Sequence, residues 1–256
     1  MKRPFQRPFL ALFSLTAAVA AHGDIVGLDP SSYQYNHADP GFPQVTSNSI
    51  QMTNGVNQLR SIVFYQPQNI SQFTASFTYR ATSIAACPVG QGLTFFLEND
   101  PRGVSAIGAS LGGLGYNGIT PSAGVAIDLN TDNSQSYAAY GTGGSVTGFN
   151  STNPANAFNG HDINVTLVYA NPTLTLTMVD TVTNATYAPP AFLVGSIATG
   201  VGGSTALVGF GVSTGNGVGF GGATQMLSNF SFTTPEPSSA LGFLGALSLF
   251  RRVTRQ

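Results

Sequence analysis

The stretch GQGLTFFLENDPRGVSAIGASLGGLGYNGITPSAGVAIDLNT, Gly90 to Thr131, decides the reading of this chain. It predicts two β-strands bracketing a long glycine-rich loop. In the first, Leu93, Phe95 and Leu97 alternate with Thr94, Phe96 and Glu98. In the second, Val125, Ile127 and Leu129 alternate with Ala126, Asp128 and Asn130. Successive side chains of a strand point to opposite faces, so each segment offers an apolar side to a core. Asp128 and Asn130 then share the other face, roughly 7 Å apart. Between the strands, five glycines from Gly108 to Gly118 permit positive φ and close backbone approach.

Outward from this stretch the same period of two recurs. Gln72–Arg80 sets Phe73, Ala75, Phe77 and Tyr79 against Thr74, Ser76 and Thr78, and Asp162–Tyr169 sets Ile163, Val165, Leu167 and Tyr169 to one side. Ala170-Asn171-Pro172-Thr173 is a turn, after which Leu174, Leu176 and Met178 alternate again. Shorter strands are expected at 49–53, 61–65, 137–141, 185–187, 207–212 and 226–232, with Asn54-Gly55 as a turn. Residues 24–44 read as an extended lead-in. No segment between the two ends shows helical periodicity, and many short strands separated by turn residues mean an all-β sandwich or barrel.

Both ends read as targeting rather than fold. Residues 1–21 carry Lys2, Arg3 and Arg7, an apolar run and the small residues Ala18-Val19-Ala20, the pattern of a secretory signal peptide. Residues 233–256 hold Pro235-Glu236-Pro237, the eleven-residue apolar run Ala240–Phe250 and three arginines. That order resembles a PEP-CTERM sorting tail, which implies export by a bacterium, transient membrane anchoring and delivery to the cell surface or beyond. The apolar run is short for a stable membrane span. Residues 22–234 then keep three arginines against nine carboxylates, a net charge of −6 where the whole chain carries −1. Such a chain cannot neutralise phosphates, so nucleic acid is set aside as a partner. Cys87, the one cysteine, rules out an internal disulfide and a structural Cys₄ zinc site.

Four segments in order, G-x-G-L-T-F-F-L, D-P-R-G with G-G-L-G-Y-N-G-I, V-A-I-D-L-N-T and V-G-F-G-V-S-T-G at Val208–Gly215, resemble the legume-lectin-like (L-type lectin) family, most closely its bacterial secreted members. Met226–Phe232 resembles the family's last strand, with Phe230 at its tryptophan. The resemblance covers about Ser49 to Phe232. It implies that residues 22–232 form a concanavalin A-like jelly-roll β-sandwich of antiparallel strands, binding carbohydrate through loops at one end.

Carried over residue by residue, the resemblance places Gln91 where the family has the sugar-binding aspartate of A-D-G. Gly112 and Gly113 stand for its glycine loop, which contributes a backbone N–H, Asn133 for its metal-loop asparagine, and Gly217–Gly222 for its fourth loop. An amide at Gln91 can donate and accept, without the charge-assisted strength of a carboxylate. For metal the family pattern leaves Asp128, Asn130 and Asp132, which with carbonyls would form a weak Ca²⁺ site; Ser134–Gly143 adds no acid and no histidine. The plainer reading of Asp128 and Asn130 is two polar side chains on an exposed strand face. Tyr116 is expected to offer a stacking face. Catalysis finds little support. Sandwich glycosidases need two carboxyl groups roughly 5–10 Å apart, whereas Glu98 is the only glutamate before the tail and, with Asp100, reads as a polar strand end. The sequence therefore predicts no enzyme. Two functions remain: a lectin-like protein binding carbohydrate, such as extracellular polysaccharide, or a structural matrix or adhesion protein whose sugar site has degenerated.

Overall fold

The computed structural model describes residues 23–39, 41, 44–46, 48–84, 90, 92–129, 137–146, 150–151, 160–215 and 221–235. The expected signal segment, Cys87, Gln91, Asn130, Asp132, Asn133 and nearly all of the sorting segment lie outside them.

The described residues form two antiparallel sheets, nine strands in each, stacked face to face. In the front sheet the order is Ser145–Val146, Tyr137–Thr142, Ser122–Asp128, Gly92–Glu98, Thr205–Ser213, Leu59–Phe64, Tyr33–His37. In the back sheet it is Thr186–Tyr187, Thr173–Asp180, Asp162–Ala170, Gln72–Ser83, Ala223–Thr233, Ser49–Gly55, Gln44–Thr46. Four further two-residue strands pair alongside these, Ile25–Val26 and Gln68–Asn69 against the interior strands Ala223–Thr233 and Thr205–Ser213. The expected jelly-roll sandwich is what forms.

Alternation decides what fills the space between the sheets. Phe73, Ala75, Phe77 and Tyr79 from the back sheet meet Leu93, Phe95 and Leu97 from the front, all buried. Aromatic rings link the layers: Phe77 meets Phe210 edge-on at 5.0 Å and Phe210 meets Phe230 at 5.0 Å, while within the back sheet Phe73 stacks on Phe232 at 4.9 Å. Each such ring contributes roughly 1.5–3 kcal/mol by leaving water, with a smaller gain from ring geometry. Phe230, expected at the family's tryptophan position, thus packs as a core residue. Near one edge the buried Arg60 of the front sheet reaches across to the back sheet, donating from Nη1 to the Met52 carbonyl at 3.0 Å. Its Nη2 pairs with Asp39 at 2.6 Å, which lets a charge sit inside.

Several sequence expectations are corrected. The lead-in contains an edge strand, Tyr33–His37, paired along its length with Leu59–Phe64. Asn54-Gly55 is not the turn, because the strand runs through Gly55. Gln58 accepts the Asn54 N–H on Oε1 at 2.7 Å and moves the reversal on to Asn57, which adopts φ 55°. One short helix, Ile197–Val201, also forms; it is capped by the Ser196 side chain and closed by Gly202 at φ 79°. Five residues are too few to display a 3.6-residue period.

Candidate functional site

The Gly92–Glu98 strand has no solvent face: all seven of its residues are buried. Leu93, Phe95 and Leu97 enter the main core. Phe96, on the opposite face, lies beneath the glycine-rich loop, in a second cluster with Val63, Ala106, Tyr116 and Ile119. The sheet is notched to receive that loop. A Cβ on Gly209 would fall 2.4 Å from the Phe96 ring, and one on Gly211 would fall 2.4 Å from the Gly115 carbonyl oxygen. The glycines of Val208–Gly215 thus seat the loop, a role that their sequence alone does not disclose. Tyr116 offers no stacking face to a ligand. It is 1 % exposed, its ring lies 6.0 Å from that of Phe96, and its hydroxyl accepts from Ser122 at 2.8 Å. Its burial overturns the expectation.

D-P-R-G is the clamp on the loop's other end. Arg102 donates to Asp100 from Nε and Nη2, each at 2.8 Å, and also reaches the carbonyls of Ile107 at 2.8 Å and Gly118 at 2.9 Å. Asp100 further accepts from the N–H groups of Arg102 and Thr120. The Arg102 side chain holds the Asp100 carboxyl well below the usual carboxylate range, with these N–H groups adding to the effect. Glu98 goes the other way. Burial lifts its carboxyl from 4.5 to about 7, with the Asp100 charge adding to the rise, although the Asp100 N–H and Arg102 oppose it. One Glu98 oxygen accepts that N–H while Oε1 is buried without a partner among the described residues. This pair is a loop fastener. Asp180 is similarly committed: burial alone would raise it, but bonds from His161 and from the Val182 and Thr183 N–H groups bring it to about 2.

The loop's tip is a tight turn, Leu111–Gly113, with Leu111 at φ 54° and Leu114 at φ 48°. Two leucines in the left-handed region are unusual, and such residues persist only where their surroundings hold them. Here Ser213 donates to the Leu111 carbonyl at 2.8 Å and Gly115 donates to Ala109 at 3.0 Å. Gly112 is exposed, and a Cβ on it would meet nothing within 4 Å. Gly113 faces inward, where a Cβ would meet those of Asn117 and Ala109 at 3.0 and 3.1 Å. Its N–H already donates to the Ser110 carbonyl at 3.1 Å.

Register sets this tip among the other expected loops. Gly92 pairs with both Asp128 and Ser213, and Ser83 pairs with Ala223. Gly215 donates to the Gly221 carbonyl at 3.0 Å, and Gly90 packs against Gly221. The strand ends that lead to Gln91, to Asn130–Asn133 and to the fourth loop therefore lie at the same end of the sandwich as Gly112 and Gly113. Beneath the tip is a cavity of about 50 Å³ whose lining includes Thr94, Gly112, Gly113, Tyr116, Asn117 and Ser145. Sequence reasoning passed over Thr94, because alternation shows which face it occupies but not what covers it.

Of the three residues expected to hold calcium, only the half-buried Asp128 is among those described. Among the described residues no three His, Cys, Asp or Glu side chains gather closely enough for a metal ion. Asn130 and Asp132 lie outside the described residues, and Asp128 by itself supplies too few of the six to eight oxygens that calcium takes; no step below is routed through a metal.

No protein-family profile matches the chain, and no curated protein matches it. Solved structures do. The lectin UEA-II complexed with galactose superposes with a TM-score of 0.64 at 14 % identity, covering 84 % of this chain and 98 % of that one. A lectin from Bauhinia forficata in complex with GalNAc gives 0.66 at 13 %, over 83 % and 97 %. Arcelin-5, a lectin-like defense protein from Phaseolus vulgaris, gives 0.64 at 16 %, over 83 % and 98 %. The described architecture is the one these legume lectins share.

Proposed function

We propose that this protein is an exported, lectin-like carbohydrate-binding protein that engages extracellular polysaccharide through the loop end of its sandwich. The observation that carries this reading is the glycine-loop tip, fastened by Asp100 and Arg102 and presented with Gly112 outward beside the ends of the Gly92, Asp128 and Ser213 strands. A rim of backbone groups held by a rigid scaffold suits hydroxyl-rich ligands, whose donors and acceptors need fixed partners more than depth. Gln91, Gly112, Gly113 and Asn133 are the proposed sugar contacts. The sugar-bearing lectins of the same architecture support the assignment, and the segments 1–21 and 233–256 support export and delivery to the cell surface.

The second reading, a matrix or adhesion protein keeping the sandwich without its pocket, is favoured by one observation. The Gly113 N–H is spent on Ser110 instead of standing free for a sugar. Arcelin-5 is a lectin-like protein of the same architecture.

A glycan array, run with calcium and with chelator, separates the two. Retention of a defined glycan, lost in Gly112→Trp at unchanged thermal stability, is the expected result. Equal and negligible retention by both proteins leaves the matrix reading. Loss of retention with chelator would support Asp128, Asn130 and Asp132 as calcium ligands.

A further inference from the structure

We infer that the cavity beneath the glycine-loop tip is a subsite for the hydroxymethyl arm of a hexose, with the Thr94 hydroxyl as its polar floor. This deepens the lectin reading and rests on it. Thr94 is fully buried on the outer face of the front sheet, and its Oγ1 has no hydrogen-bond partner among the described residues. Of the six buried polar atoms in that condition among the described residues, it alone lines this cavity. Native structures rarely leave a buried hydroxyl unpaired unless a water or ligand completes it. Nearby polar groups are already occupied: the Tyr116 and Ser122 hydroxyls pair with each other, and the Ser122 hydroxyl is also within bonding reach of the Ile119 carbonyl.

Size and chemistry narrow the occupant. About 50 Å³ exceeds the roughly 10–15 Å³ that one water needs, yet it is too small for a pyranose ring. Among the described residues no charged side chain lines the cavity, so they offer a phosphate, carboxylate or metal ion no counter-charge. The Tyr116 ring and Leu114 give apolar wall for a methylene, while Thr94 at the floor and Asn117 with Ser145 in the lining give hydroxyl partners. On a hexose, the hydroxymethyl group is the one arm that carries both, on a rotatable carbon. Gly112 and Gly113 belong both to the cavity lining and to the proposed sugar rim, so a ring resting on the rim can drop this arm inward.

The test compares full-length wild type, Thr94→Val and Thr94→Ser by titration with galactose, glucose and mannose, each beside its 6-deoxy form. The expected result is a preference of about tenfold for at least one hexose over its 6-deoxy partner, a typical return for one satisfied hydrogen bond. Thr94→Val abolishes that preference at an unchanged or higher unfolding midpoint, and Thr94→Ser retains it. Wild type binding a hexose and its 6-deoxy form equally overturns the subsite and leaves the lectin reading standing, as does undiminished preference in a folded Thr94→Val. If Thr94→Val does not fold, the wild-type preference together with Thr94→Ser decides. Wild type retaining none of these sugars, and nothing on the glycan array, removes both readings together.

Discussion

Replacing Glu98 by glutamine should make the protein's stability less dependent on pH between 5 and 8. Burial lifts the Glu98 carboxyl from 4.5 to about 7 in the folded state. The folded protein therefore holds this proton where the unfolded chain has released it. The stabilisation linked to Glu98 is fully present below about 4.5 and is lost as pH rises through about 7. A displacement of that size corresponds to a ceiling of roughly 3 kcal/mol. The partly exposed Arg102 screens the charge, so a loss of about 1–3 kcal/mol between pH 5 and pH 8 is expected. Glutamine keeps an oxygen for the Asp100 N–H without ever acquiring a charge. Urea unfolding followed by circular dichroism at pH 5, 6, 7 and 8 gives the two profiles. The wild type should lose stability across the range and Glu98→Gln should hold nearly level, crossing above it near pH 7. Superimposable slopes for the two proteins would refute the assignment of the titration to Glu98.

The other predictions concern the loop's attachments. Arg102→Ala leaves the Asp100 carboxylate, 4 % exposed, without its cation; a loss of about 2–3 kcal/mol in urea unfolding is expected, less than for a fully buried pair because Arg102 is itself partly solvated. Amide exchange should accelerate selectively across residues 107–120, and uniform acceleration over both sheets would contradict the clamp. Gly209→Ala drives a methyl into the Phe96 ring and should cost about 1–3 kcal/mol, whereas Gly112→Ala points into open space and should change stability by less than about 0.5 kcal/mol. Differential scanning calorimetry of the two variants checks the contrast, and equal midpoints would count against the notched sheet.

What alternation alone could say, it said well. The apolar parity of Phe73, Ala75, Phe77 and Tyr79, and of Ile163, Val165, Leu167 and Tyr169, matches the buried side of both strands, because a half-buried strand writes its burial directly into a period of two. Thr94 and Glu98 show where that logic stops. Their polarity suggests an outward face, yet a loop from the following twenty residues folds back over it, a tertiary event with no local signature. Tyr116 was misplaced for the same reason. Gly209 and Gly211 lie in a segment that resembles a family motif, which did not reveal that they make room for Phe96 and Gly115. At the candidate site, the order of the motifs was legible in the sequence, while the inward set of Gly113 depends on φ values at Leu111 and Leu114 that leucine seldom adopts.

The pairing order has a further consequence for how the molecule comes into being. The middle of the front layer needs the 205–213 strand on one flank, and the middle of the back layer needs 223–233. Both arrive in the final fifth of the polypeptide. A nascent chain lacking them has neither layer complete nor a seat for the glycine-rich flap, so assembly waits on its most distant partners and should be slow. A truncation near residue 200 would therefore yield no smaller folded unit.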